Sequence, residues 1–271
     1  MRSHALEEAC APPARERATE LLVLWQHPQT RRILPVGRLA HDGTTYTFDY
    51  TRAAGDIDGF RQLPGMGRPG EQFQSTRLPS LLRQRVMSPD RPDFFEYVGN
   101  LGLSPATATP WEQIVESGGE RAGDTLQFME LPRVNDANLA QARFLVNGVR
   151  YVAGVERQIS GIPTLVDART LEDAFSRLHV GDRLEILPEE GNEIDEHALM
   201  VVSSGVPLGW VPRFLAPSVR RLLSEGRVFA TVMRVNGPSA PTHLRLALEM
   251  NAPAPVGFSF DPEGSWEPLS T

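Results

Sequence analysis

The chain has 271 residues, 41% apolar and 23% charged, and carries a formal net charge of −7. That is the composition of a globular chain long enough for two modest domains, and no apolar run reaches the length of a membrane span. Every one of its 27 fixed cations is arginine, so phosphate-loop lysine, kinase-strand lysine and Schiff-base chemistry are all excluded.

In chain order, residues 1–19 read as a flexible tail, because Cys10-Ala-Pro-Pro-Ala interrupts any helix and nothing apolar repeats. The tail lacks the apolar core of a signal peptide. A lone cysteine, Cys10, can form neither an internal disulfide nor a zinc site, which makes a reducing cytoplasm the expected location.

Residues 21–25, Leu-Leu-Val-Leu-Trp, are a strand ended by His27-Pro28. Residues 32–39 and 46–50 flank Asp42-Gly43, a hairpin signal, with apolar alternation in the second strand. Residues 60–70 are rich in Gly and Pro and read as loop. Short helices are expected over 81–87 and after Arg91-Pro92. Thr109-Pro-Trp-Glu112 starts another, with Thr as cap and Glu three residues on. Gly118-Gly119 ends it, and residues 125–131 alternate as a strand. This makes 20–134 an α+β domain and 135–141, polar and turn-rich, a linker.

A second domain is expected over 142–236. Residues 143–153 read as a strand with a bend at Gly148, followed by a turn at 160–163 and a capped helix from Thr170. Strands over 182–187, 197–203, 206–211 and 227–235 surround a helix in 212–224. Residues 244–250 fit one more strand. The stretch 237–271 is otherwise rich in Pro, Gly and acid, and is expected to be extended or disordered.

Three segments of this second half carry a family resemblance: residues 144–155 (Phe-Leu-Val-Asn-Gly-Val-Arg-Tyr-Val-Ala-Gly-Val), 189–202 and 208–216. Together they resemble the HIRAN domain, a small OB-like β-barrel of helicase-associated DNA repair proteins and of stand-alone bacterial chains. The resemblance implies a non-catalytic protein without cofactor that binds DNA, at single-stranded 3′ ends, in a repair or stress-defence setting. A helicase or nuclease would be a natural protein partner. Residues 21–132 resemble the N-terminal subdomain of HipA-type toxin kinases, through Val36-Gly-Arg-Leu39, residues 46–50 and the Gly-rich run 116–124. The kinase catalytic region has no counterpart.

Six side chains are candidates for the DNA site. Arg150 and Tyr151 correspond to the family's cradle for terminal bases, since a guanidinium and a ring both stack on any base. The same pair also fits a surface arginine beside a half-buried strand tyrosine. Asn192 and Asp195 match the family's Asn-Pro-Tyr-Asp-x-Asn-Ala run, whose Asp accepts a hydrogen bond from a 3′-hydroxyl. Glu193, Ile194 and His197 replace the Pro, Tyr and second Asn, so one stacking ring is missing. Trp210 and Arg213 fall where the family places groups near DNA; Trp210 would replace that ring or lie in the core.

Against this reading, residues 142–235 hold 11 Arg and 12 acids, with none of the basic excess that coats phosphates, so contact must be local. A barrel that has lost DNA binding and docks a protein is the alternative. The acids Glu189, Glu190, Glu193, Asp195 and Glu196 also raise a metal-dependent hydrolase or nuclease, although neighbours in an extended chain point apart and the six His show no ligand spacing.

Overall fold

In β1 (Glu20–Gln26) successive side chains enter two different cores. Leu21 and Val23 join one, Leu22 and Leu24 the other, as the two-residue period of a strand dictates. The run is apolar throughout because both of its faces are buried. The computed structural model describes residues 20–121 and 123–270; the expected N-terminal tail with Cys10 lies outside them.

β1 sits inside the first sheet with β2 (Ile33–His41), β3 (Tyr46–Tyr50), β4 (Phe73–Ser75) and β5 (Leu126–Glu130), in the antiparallel order β4-β3-β2-β1-β5. The expected hairpin joins β2 to β3. The Asp42 carboxylate accepts from the Thr44 and Thr45 amides at 2.8 Å each and from the Thr44 hydroxyl, which holds its pKa down to about 2. Helices α1 (Ser80–Arg83), α2 (Phe94–Asn100) and α3 (Pro110–Ser117) lie between β4 and β5. Thr109 caps α3 through the Glu112 amide, and Gly118 ends it at φ 66°. Trp111 and Ile114 of α3 complete the core under Tyr46, Phe48 and Tyr50.

The second sheet follows with β6 (Arg133–Val134), β7 (Leu139–Leu145), β10 (Arg183–Glu190), β11 (Leu199–Ser203), β12 (Val206–Trp210), β13 (Phe229–Val235) and β14 (Leu246–Pro253). Its order is β12-β11-β10-β13-β14-β7-β6. A hairpin of β8 (Arg157–Ile159) and β9 (Ile162–Thr164) extends from the end of β10. Helices α4 (Ala168–Ser176) and α5 (Ala216–Glu225) bury Leu171 and Phe175, and Val219 and Leu222, in the same core. The fold is α+β, as expected.

Four expectations change in detail. The second sheet is open rather than a closed barrel: among the described residues only an isolated bridge, Asn147 to Trp210, with N–H···O distances of 2.9 and 2.8 Å, spans the gap between the end of β7 and β12. The strand expected over 143–153 stops at Leu145. Gly148, at φ 70°, turns the chain left-handed into a 3-10 turn, Val149–Tyr151, so Arg150 and Tyr151 leave the sheet. Residues 135–138 are the tight turn of the β6–β7 hairpin, closed by Asn135 Oδ1 accepting from the Ala137 and Leu139 amides.

The fourth concerns residues 237–271, which include β14, paired on both sides by β13 and β7. Beyond β14 the chain returns to the first unit, where Leu269 N–H bonds to Tyr50 O at 2.7 Å and Glu267 O accepts from Arg52 N–H. Trp266 rests on Phe214, 5.1 Å between ring centroids, and Phe260 is buried. Of the expected extended or disordered backbone, the extended form is the one found: Phe258, Phe260 and Trp266 pack on the core of the second unit, and backbone hydrogen bonds tie the chain to the first.

The units also meet through β13. Arg234 donates to Glu116 Oε2 at 2.7 Å, to Leu101 O and to Glu116 O, all in the first unit.

Candidate functional site

The residues singled out for the DNA site gather around Glu189, which the sequence raised only as one acid of a possible metal cluster. It lies near the end of β10 with its side chain 4% exposed. Isolated, a carboxylate so buried would be expensive; here it is saturated. Oε1 accepts from Arg157 Nη1 at 2.8 Å, and Oε2 from Asn192 Nδ2 at 2.6 Å and Trp210 Nε1 at 2.7 Å.

Arg157, on β8, is the second unforeseen member. Its guanidinium lies over the Trp210 ring, 4.5 Å from the centroid, and Nη2 donates to Tyr151 O at 2.8 Å. The 3-10 turn, the β8 arm, the loop after β10 and the end of β12 are thereby held at one point.

From Asn192 the network continues outward. Asn192 Oδ1 accepts from the Ile194 and Asp195 amides at 2.9 Å, an Asx turn. Asp195 Oδ1 accepts from His197 N–H at 3.0 Å, and its Oδ2 lies 3.9 Å from Arg213 Nε. Arg213 Nη2 donates to Ile194 O at 2.7 Å, and Nη1 reaches Arg31 O of the first unit at 3.5 Å.

Arg150 points outward. Its guanidinium lies 4.6 Å from the Tyr151 ring centroid and donates to the Tyr151 hydroxyl, and Tyr151 is 57% exposed. The structure thus links Tyr151, Asn192, Asp195, Trp210 and Arg213 in one region, with Arg150 stacked on its outer edge.

Of the two readings of Trp210, a stacking surface or a core position, the packing favours the core. Arg157 covers its ring, its N–H is held by Glu189, and Gly148 approaches so closely that an added Cβ would lie 2.6 Å from Cε3. Trp210 is a keystone of the site, and the exposed aromatic face belongs to Tyr151.

The acidic run does not converge. Glu189 is occupied as described, Glu190 accepts from Gly161 N–H, and Glu193 and Glu196 face solvent. Among the described residues no group of three or more His, Cys, Asp or Glu is placed to hold a metal ion.

Alternation missed Glu189 for a specific reason. Leu184 and Ile186 point inward, which by strict period two would put residue 188 inside and 189 out. The inward phase slips by one residue before Glu189. Arg157 carried no separate signal, because its role depends on a hairpin folding back onto β10.

Among protein-family models, curated proteins and solved structures, nothing matches this chain.

Proposed function

We propose that the chain is a non-catalytic nucleic-acid-binding protein whose second unit takes a single-stranded DNA end at the outer edge of the Glu189 network. The observation that carries this reading is the exposed Arg150–Tyr151 pair, seated on a turn that Arg157 anchors from beneath. A ring and guanidinium held in place lose little entropy when a base stacks on them, and such stacking contributes about 1–3 kcal/mol per base. Asp195 keeps acceptor capacity beyond the His197 amide, as a 3′-hydroxyl contact requires. Among the described residues no helix is long and apolar enough to cross a membrane; action in the cytoplasm, in DNA repair or defence beside a helicase or nuclease, belongs to the same proposal.

Fluorescence anisotropy with labelled single strands bearing a free or a phosphorylated 3′ end tests it. Binding that weakens with the phosphate supports end recognition; binding blind to the 3′ group removes it.

One observation favours a second reading, in which this surface docks a protein. Tyr151, Val155, Ile162, Leu165 and Ile194 are all large and exposed, between 48% and 77%, on the β8–β9 arm and the adjoining segments. No anisotropy change with any strand at low salt selects this reading over the first.

A further inference from the structure

The DNA reading leaves a charge problem. Arg150 and Arg213 share the rim with Asp195, Glu193 and Glu196, and a nucleic-acid strand brings one phosphate per nucleotide. On that rim the second unit alone offers the strand three negative groups against two positive ones. The first unit supplies what is missing.

The β1–β2 turn reaches this rim, because Arg213 Nη1 contacts Arg31 O at 3.5 Å. The turn is firmly built. Arg31 N–H bonds to His27 O at 2.9 Å, His27 N–H bonds to Arg32 O at 2.8 Å, and His27 Nδ1 accepts from the Gln29 and Thr30 amides. Arg31 adopts a left-handed φ of 57°, a conformation that long side chains seldom take without a reason in the fold. Both Arg31 and Arg32 are exposed, and among the described residues neither joins an ion pair.

We infer that Arg31 and Arg32 are the phosphate ligands of this site, so that a bound strand lies across both units, with its backbone on the β1–β2 turn and its terminal base on Tyr151. The inference rests on the nucleic-acid reading above. Arginine suits the task, since its planar fork meets phosphate oxygens in pairs.

The test compares the full chain with R31Q/R32Q and R31E/R32E, using a fluorescein-labelled oligothymidylate and anisotropy titrations across a salt series, with thermal melts to verify folding. Two phosphate contacts on a single strand set a slope change of about 1.4 in log Kd against log salt, so the gap between wild type and R31Q/R32Q changes roughly sevenfold between about 50 and about 200 mM salt. The glutamate pair should weaken binding further at low salt. If the glutamine pair keeps the wild-type slope while Tyr151→Ala weakens binding, the inference fails and the nucleic-acid reading stands. If the wild-type chain binds no single strand, both fall together.

Discussion

Replacing Glu189 with Gln tests the network most directly. The substitution keeps the shape of the side chain but removes its charge, and leaves one carbonyl oxygen to serve three donors: Arg157 Nη1, Asn192 Nδ2 and Trp210 Nε1. The new amide nitrogen must then face at least one of them. Arg157, its side chain 16% exposed, loses its carboxylate and keeps only Tyr151 O and the Trp210 face. Removing one partner of a buried pair costs about 3–5 kcal/mol. Because Arg157 retains some access to water and one carbonyl, the lower end applies, about 3 kcal/mol. For a chain of this size each kcal/mol moves the melting point by about 2–4 °C, so Tm should fall by about 6–12 °C. Urea titration followed by tryptophan fluorescence should show a lower midpoint at unchanged m. A loss below about 1 kcal/mol, the level of an exposed pair, would refute the buried-hub argument. As a cross-check, the double variant Glu189→Leu/Arg157→Met should recover part of the loss, since it leaves no buried charge without a partner.

Three other outcomes follow from the packing. Gly148→Ala meets both a left-handed backbone and the Trp210 ring 2.6 Å away, and should cost more than about 2 kcal/mol with a shifted tryptophan emission; an unchanged spectrum would mean that Trp210 is not seated on this turn. Burial pushes the His243 imidazole below its usual pKa, with Glu120 opposing and Arg234 adding to the effect. The folded state therefore binds fewer protons than the unfolded one below about pH 6.5, so stability should drop as pH falls through that window, and His243→Asn should flatten a plot of Tm against pH between about 7.5 and 5. Truncation after Pro253 removes the buried Phe260 and the strand-like contacts of Glu267 and Leu269 with the first unit; a loss of at least about 3 kcal/mol is expected in thermal or urea unfolding, and a full-stability truncation would show the strap to be passive.

How far the site was legible varies residue by residue. Asn192 and Asp195 were singled out through a motif whose local geometry is short-range: an Asx turn needs only its own neighbours. Arg150 and Tyr151 were singled out by type but assigned to a strand, because Gly148 was read as a bend within one and not as its end. Trp210 was left between a stacking face and a core position, and its Arg157 and Glu189 contacts decide for the core. The proposed phosphate ligands Arg31 and Arg32 had no signal at all, being more than a hundred residues from Arg150 and Tyr151 in sequence.

Local chemistry alone determined most elements: the Asp42-Gly43 hairpin, the Thr109 cap, the Gly118 stop and the alternating strands depend on interactions within a few residues, and they form where the residues indicate. The tertiary structure decided what lies between the elements. Residues 135–138 became a hairpin turn, not a linker, because β6 and β7 pair across them. The acid- and proline-rich end after the expected strand became a strap, because the core of the second unit buries its aromatics. Glu189 became a hub, because Arg157 and Trp210, distant in sequence, converge on it beside the nearby Asn192. Each of these depends on burial, and burial belongs to the assembled fold and to no single stretch of chain.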